Sequence, residues 1–309
     1  MFAAVAALLL SGFEPAALLP GTPYALPGHG ETLTALAFSP DSRVLASAGR
    51  DKTVKLWSLT TGQATATFKV GVQQITALAW SADGKTLAVG DVALSVQLVT
   101  VADGKVAQQL AFPEPVGELV FGTDGATLAI AGVGDHGAVY ELPSGKKRFD
   151  FSGRTVRLSA DGASLLTGSG AGQLAWVELK SGKVKKTIDA HLEGSPGVLA
   201  TATGAVAATW SPSGTDVKLW NTADGKALRS LKGPALEQGA RKPLVTGCAV
   251  LPDGKRVLVG GADGVVRLYD EKGAITQRWP SERNTGLVAS PDGTWFAVMD
   301  QALIKLWKP

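Results

Sequence analysis

Short runs of apolar residues, separated by clusters of glycine, proline, aspartate and serine, recur along most of the chain. Leu33 to Phe38 and Val44 to Ser47 are rich in β-forming residues and alanine. Thr53 to Trp57 alternates, with Val54 and Leu56 on one side. Alternation with a period of two is typical of strands, and the residues between the runs accept turn geometry. The pattern predicts four short antiparallel strands per unit, which must stack on neighbouring units to bury both faces.

This unit returns seven times, about every 40 residues. The turn aspartate Asp41 is matched, at intervals of 37 to 50 residues, by Asp83, Asp124, Asp161, Thr203, Asp253 and Asp292. The strand residue Trp57 is matched in the same order by Val99, Tyr140, Val177, Trp220, Tyr269 and Trp307. Because two independent landmarks keep one register, the chain is predicted to be an array of seven structural repeats.

The clearest copy, Gly28 to Gly62, contains Gly-His, Ser-Pro-Asp, Leu-Ala-Ser, a turn aspartate and Lys-Leu-Trp in that order. This order resembles the WD-repeat β-propellers, although serine rather than aspartate follows Trp57. The resemblance covers residues 22 to 309. It implies an all-β, seven-bladed propeller of four-stranded antiparallel blades around a central channel.

The seventh copy ends after its third strand, since only two residues follow Trp307. Thr22 to Gly28 lies just before the first Gly-His, where the other copies place an outer strand. We therefore expect this N-terminal segment to form the outer strand of the last blade and to close the ring. Its prolines are tolerable there because an outermost strand has one unpaired edge.

The resemblance also implies a hydrogen-bonded structural tetrad, which can be carried over only where the residues match. The first copy supplies His29, Ser47, Asp51 and Trp57, and the fifth supplies His191, Thr209 and Trp220. In such a network, buried polar groups satisfy one another. Copies two to four lack the histidine, so we expect their blades to hold together mainly by apolar packing.

Composition and motifs narrow the chemistry. A net charge of +3 over 309 residues gives no reason to expect a nucleic-acid partner. Cys248 is the one cysteine and is expected to be a small core residue, which excludes a disulfide within the chain. The sequence has no HExxH, CxxC or calcium-loop pattern, so we predict no metal, cofactor or catalytic residue. His136 stands beside Asp135, and we favour a polar turn over an acid–base pair.

Residues 1 to 20 stand outside the repeats, so we divide the chain into this apolar leader and a propeller domain over residues 21 to 309. The run from Phe2 to Leu10 has the length of a signal-peptide core and is too short to span a bilayer. No basic residue precedes it, the first being Arg43. A signal peptide, a leader without fixed structure and a mis-assigned start codon all remain open. The protein is accordingly expected to be cytoplasmic, or exported if the leader is a signal peptide.

Two classes of function are compatible with these residues. We favour a non-catalytic, monomeric scaffold that binds a protein partner of unknown identity. The alternative is an enzymatic or small-ligand-binding propeller that uses the central channel. The longest connection, Lys232 to Pro243, is either a solvated loop that tolerates insertion, which we favour, or a site of partner binding, because loops on a rigid scaffold often carry binding residues. The candidate residues there and on neighbouring segments are Trp210, Glu237, Arg241, Lys242 and Arg283.

Overall fold

The seven sequence copies fold into seven four-stranded antiparallel sheets. The computed structural model describes residues 23–70, 73–191, 197–200, 204–211, 215–232, 244–281 and 286–309. These residues form 28 strands and no helix. Within the same ranges, no helix is therefore long and apolar enough to cross a membrane.

The strands follow one another in chain order, and each blade runs from the central channel outward through strands a, b, c and d. The first strand, β1 (Tyr24–Pro27), precedes the first blade. Blades one to three contain β2 (Leu33–Phe38), β3 (Val44–Gly49), β4 (Thr53–Ser58), β5 (Ala64–Lys69), β6 (Ile75–Trp80), β7 (Thr86–Asp91), β8 (Ser95–Thr100), β9 (Val106–Ala111), β10 (Val116–Phe121), β11 (Thr127–Gly132), β12 (His136–Glu141) and β13 (Lys146–Ser152).

Blades four to seven repeat this order, except that the last blade contributes only three strands from its own copy. They contain β14 (Thr155–Leu158), β15 (Ser164–Gly168), β16 (Gln173–Glu178), β17 (Val184–Asp189), β18 (Gly197–Ala200), β19 (Val206–Trp210), β20 (Val217–Asn221), β21 (Ala227–Leu231), β22 (Val245–Val250), β23 (Val257–Gly261), β24 (Val265–Tyr269), β25 (Ile275–Pro280), β26 (Leu287–Ala289), β27 (Phe296–Asp300) and β28 (Leu303–Trp307).

The N-terminal strand closes the ring. β1 pairs antiparallel with β28, with Tyr24 opposite Leu306, and so occupies the d position of blade seven. Leu26 is only 2% exposed, and the Tyr24 ring packs edge-on against Trp295 with 5.3 Å between ring centroids. The a strands also contact one another all the way round, from β2 to β26 and back to β2. Blade seven therefore joins the two ends of the chain.

Local hydrogen bonds fix the turns between strands a and b. In blade one, the Ser39 hydroxyl donates to Asp41 at 2.6 Å and accepts the backbone N–H of Val44 at 2.9 Å. The same two bonds are made by Ser81, Ser159 and Ser290 in blades two, four and seven. Because these bonds join residues close in sequence, the turn forms wherever the Ser-x-Asp pattern recurs.

The core is divided among the blade interfaces. One apolar cluster of described residues lies at each of the seven interfaces. At the closing interface, Trp57 of blade one packs with Leu26, Leu306 and Trp295 of blade seven. Since each blade buries its faces only against its neighbours, all seven interfaces contribute to the stability of the ring.

Candidate functional site

The residues that the sequence assigns to the tetrad of blade one form a continuous hydrogen-bonded network. The Trp57 indole N–H donates to the Ser47 hydroxyl at 2.8 Å, and the Ser47 oxygen lies 2.7 Å from His29 Nε2. His29 Nδ1 lies 2.9 Å from the Asp51 carboxylate. Because a carboxylate only accepts, Nδ1 carries the proton and Nε2 accepts the Ser47 hydroxyl. The order of the bonds therefore fixes both the histidine tautomer and the rotation of the serine.

Burial and the neighbouring charges together favour the neutral imidazole of His29 in this network. Burial, the largest influence, lowers the pKa of His29 below its ordinary value, although the Asp51 carboxylate opposes the shift. Burial alone would raise the pKa of Asp51, but hydrogen bonds from His29 and Thr53 outweigh it and leave the pKa lowered. A neutral histidine beside an ionised aspartate is an arrangement that orients side chains in a stable core.

Blade five has a shorter version of the network. Trp220 Nε1 donates to the Thr209 hydroxyl at 2.8 Å, and His191 Nε2 lies 3.0 Å from the same oxygen. Burial lowers the pKa of His191, and the nearby Lys218 ammonium lowers it further. The Lys218 ammonium donates to the Ala190 carbonyl at 2.6 Å. In this blade Lys218 of the third strand therefore also binds the backbone of the connection in which His191 lies.

His136 does not lie in a turn, so that interpretation of the sequence is wrong. It is the first residue of β12 and pairs with Ser152 of β13. Its backbone N–H donates to the Glu114 carboxylate at 3.2 Å, and its ring stacks on Phe112. His136 Nε2 lies 3.1 Å from Asp150 rather than beside Asp135. His136 matches Thr53, the first residue of β4, so the register of the repeats places it in the strand rather than in the turn.

Connections between blades and the b–c turns meet on one face of the ring. The backbone N–H of Phe112 donates to the carbonyl of Leu94, and that of Val133 donates to the carbonyl of Pro115. The equivalent bond from Arg50 to the Thr32 carbonyl joins the same two kinds of segment in blade one. We call this side of the ring the upper face.

Of the residues that the sequence proposes for partner binding, the structure describes only Trp210. Glu237, Arg241, Lys242 and Arg283 lie outside the described residues. Trp210 ends β19, is half-buried and packs against the apolar cluster between blades five and six. Its ring lies so close over Gly197 that a larger residue there would collide with it. Trp210 also lines the central channel, so part of its ring serves packing.

The structure shows an exposed apolar strip on the upper face that the sequence analysis missed. Val92 and Leu94 in the b–c turn of blade two, Pro113 in the following connection, and Val133 in the b–c turn of blade three are all exposed. Leu94 is 44% exposed and has a φ of 64°, in the left-handed region. Four other copies have lysine, aspartate or glycine at this turn position, namely Lys52, Asp135, Gly172 and Gly264. The sequence did contain a signal for this strip, because Val92, Leu94 and Val133 are apolar residues in turns that are polar in most copies.

The central channel is lined by the a strands and measures about 650 Å³. Its charged residues form one internal pair: the Arg157 guanidinium donates to both Glu118 oxygens, at 2.8 and 3.1 Å. The backbone N–H of Val156 donates to the same carboxylate at 2.8 Å. Burial raises the pKa of Glu118 although Arg157 favours the charged form. Burial also raises the pKa of the Cys248 thiol, which lines the channel wall.

Acidic, histidine and cysteine side chains do not gather into a metal-binding group of three or more in the described ranges. The geometry found here consists of core networks, one satisfied ion pair and an exposed apolar strip.

Comparison with known proteins agrees with this architecture. The family model for the WD domain, G-beta repeat, matches residues 22–58 and 225–270. The chain superimposes on the β-propeller domain of Myceliophteria thermophila Cps50 (Swd1) with a TM-score of 0.80 and 16% identity, over 93% of this chain and 100% of that one. The chain therefore contains WD repeats and folds as a seven-bladed β-propeller.

Relatives of this propeller are diverse. An uncharacterized WD repeat-containing protein of Synechocystis sp. is 28% identical over 252 residues, which is 79% of this chain and 70% of that protein. Coronin-7 of Mus musculus is 45% identical over 64 residues, 20% of this chain and 7% of that protein. Eukaryotic translation initiation factor 3 subunit I of Debaryomyces hansenii is 26% identical over 106 residues, 34% of this chain and 30% of that protein. The chain therefore spans most of the first of these relatives but only small parts of the other two.

Proposed function

We propose that this WD-repeat propeller is a non-catalytic scaffold that binds a protein partner through its upper face. The observation that carries the proposal is the apolar strip of Val92, Leu94, Pro113 and Val133. Exposed apolar residues grouped on one side of a soluble domain mark interaction surfaces. Rigid sheets position these turns, so little ordering entropy is lost when a partner binds.

Leu94 strengthens the argument because its conformation is costly. A leucine in the left-handed region costs roughly 1 kcal/mol, and its exposed side chain gains little burial within this chain. Contact with apolar side chains of a partner would offset that cost. We propose that the partner presents an apolar segment to this strip.

We extend the proposed surface to the residues that the sequence singles out. Trp210 ends strand b of blade five, and Glu237, Arg241 and Lys242 belong to the connection from β21 to β22. Arg283 belongs to the connection from β25 to β26. Arginine and tryptophan are favoured at the energetic centres of interfaces. Two relatives in other organisms are named as subunits of a translation initiation factor, which agrees with a role in assembly.

The test compares capture of partners from native lysate by the wild type and by a Leu94→Gly/Val133→Ser variant. We expect capture to be lost while the melting temperature stays within about 2 °C, since surface changes cost under ~0.5 kcal/mol and glycine relieves the strain at position 94. Arg241→Glu with Arg283→Glu should also weaken capture.

A matched control removes two equally exposed apolar residues from outer strands, Val106→Ser with Leu228→Ser. This control should capture the partner like the wild type. Undiminished capture by the Leu94→Gly/Val133→Ser variant, or equal loss in the control, would show that the strip is not the docking surface.

A further inference from the structure

A groove of about 450 Å³ runs between blade three and blade four on the outer wall of the ring. On one side it is lined by Phe151 at the end of β13. On the other it is lined by Ala175 and Val177 of β16 and by Val184 and Thr187 of β17. The upper face lies at one end of the groove, and Gly182, in the c–d turn of blade four, lies at the other. The groove thus extends along the height of the blade.

Comparison of the copies explains why the groove is open at this interface. The strand pairing places Ala175 at the position of Lys55, and Val177 at the position of Trp57. The equivalent pairs in the other blades are Gln97 and Val99, Ala138 and Tyr140, Lys218 and Trp220, Arg267 and Tyr269, and Lys305 and Trp307. Blade four is the one copy with a small residue at both positions. The space that a long stem and an indole occupy elsewhere is left unfilled.

The hydroxyl of Thr167 gives a second indication that the long side chains found at this interface in other blades are absent here. It lies at the position of Ser47, lines the groove and is 1% exposed. Its hydroxyl has no hydrogen-bond partner, whereas Ser47 binds both Trp57 and His29. A buried hydroxyl without a partner is uncommon in native cores. The interface therefore keeps one polar group of the network after losing the residues that satisfy it.

Basic residues surround the lower end of the groove. The segments 146–150 and 178–185 carry six basic and two acidic side chains. These segments touch, since Arg148 Nη1 donates to the Leu179 carbonyl at 3.4 Å and Phe149 lies against Gly182. Both acids are already paired, Asp150 with Lys147 and Glu178 with Lys185. The surplus positive charge comes from residues that are paired with no carboxylate in the described structure, namely Lys146, Lys180 and Lys183.

We propose that this groove binds an acidic peptide segment of a partner protein, with an aromatic anchor side chain. The anchor would contact Ala175, Val184 and Thr187, which line the groove and keep exposed surface, and flanking carboxylates would face Lys146 and Lys183. An apolar pocket with a charged rim gives both affinity and orientation. This surface is distinct from the upper face, so failure of either proposal leaves the other intact.

The observations favour a peptide over nucleic acid or lipid. Single-stranded nucleic acid is bound by exposed aromatic side chains on which bases stack, but the Phe151 ring here is buried. A membrane surface requires protruding apolar groups beside the lysines. Of the apolar residues that line this groove, Val184 is exposed, whereas Ala175 is half-buried and Phe151 and Val177 are buried. A single exposed valine gives a membrane surface little to bind.

The test uses a fluorescein-labelled peptide in which tryptophan is flanked on each side by three glutamates, with fluorescence anisotropy as the readout. We expect saturable binding to the full chain that weakens as salt is raised from about 50 to about 200 mM. Ala175→Met, which lays a stem along the groove as lysine does in other blades, should weaken binding about tenfold. Lys146→Glu with Lys183→Glu should do the same.

Two controls separate the groove from general charge attraction. Lys85→Glu with Lys272→Glu makes the same charge change on blades two and six and should leave binding within about twofold of the wild type. A peptide with glycine in place of tryptophan should bind about tenfold more weakly. The proposal is overturned by absent binding, by unchanged affinity of Ala175→Met, or by equal affinity for an oligonucleotide or anionic vesicles of matched charge.

Discussion

At the scale of single residues, equivalent positions in the second strand of blades one, four and seven differ in their hydrogen bonding. Ser47 accepts from one indole and donates to one histidine, so its hydroxyl is fully used. Thr167 keeps the hydroxyl but has lost both partners. In blade seven the position is Val298, which leaves Trp307 Nε1 buried without a hydrogen-bond acceptor. Whether a polar residue at this position stabilises the fold therefore depends on whether side chains of other strands form hydrogen bonds with it.

A matched pair of substitutions tests this difference. Ser47→Ala should lower the free energy of unfolding by about 1 to 3 kcal/mol, because it leaves the Trp57 N–H and His29 Nε2 unpaired in the core. Thr167→Val should be neutral or stabilising by up to ~1 kcal/mol, because the hydroxyl removed has no partner. Urea unfolding of both variants measures the contrast. A loss in Thr167→Val as large as that in Ser47→Ala would show that the Thr167 hydroxyl is satisfied in solution.

At the scale of elements, β1 is a strand whose stability depends entirely on a distant partner. Four residues form no stable structure alone, and here they pair with β28 almost three hundred residues away. The pairing covers the edge of β28, which would otherwise expose unpaired backbone groups. By contrast, the Ser-x-Asp turns are satisfied within five residues and form independently in the four copies that contain the pattern.

Two truncations test the closing strand. Deletion of residues 1 to 28 should lower the melting temperature or cause aggregation, because it exposes β28 and empties the space filled by Leu26. Deletion of residues 1 to 20 leaves β1 intact and should change the melting temperature little. Thermal unfolding of the two proteins provides the measurement. Equal stability of the two would remove β1 as a closing element.

At the scale of the whole molecule, the ring is held by seven interfaces that the sequence fills unequally. Blade one has a complete polar network and a dense aromatic contact with blade seven. The interface between blades three and four instead has small residues and an open groove. Strand exchange in blade seven joins both ends of the chain in one sheet, which prevents the ring from opening between the first and last blades.

Circular permutation tests the value of that exchange. Two permutants would share one short glycine-serine linker between residues 309 and 23. The first would have its new ends within blade two, and the second would have them between blades two and three. Opening between Asp103 and Gly104 recreates a strand exchange, because β9 then begins the chain and β8 ends it. Opening between Pro113 and Glu114 leaves every blade continuous. We expect the second permutant to unfold at a lower urea midpoint, and equal midpoints would contradict a stabilising role for the exchange.

Much of the architecture is predictable because the copies repeat. The turn at Asp41 and the strand around Trp57 depend on residues next to them, so seven recurrences predict seven blades. The structural network of His29, Ser47 and Asp51 was also accessible, since the family pattern matches residue by residue. The start of β12 at His136 follows from the same register, since Tyr140 matches Trp57 and His136 therefore matches Thr53. Its contacts with Phe112, Glu114 and Asp150 were not accessible, because those residues lie on other segments.

The sequence by itself determined the all-β class, the number of blades, the turn geometry and the outer-strand role of residues 22 to 28, because these depend on short-range pattern and on counting copies. Only the tertiary structure decided which side chains share an interface. It showed that Thr167 lies in a core without a partner, that Ala175 and Val177 leave a groove beside Phe151, and that Val92, Leu94 and Val133 share one exposed face. Such features arise where strands from two neighbouring copies pack together. The sequence of one copy contains only one side of each interface that it forms.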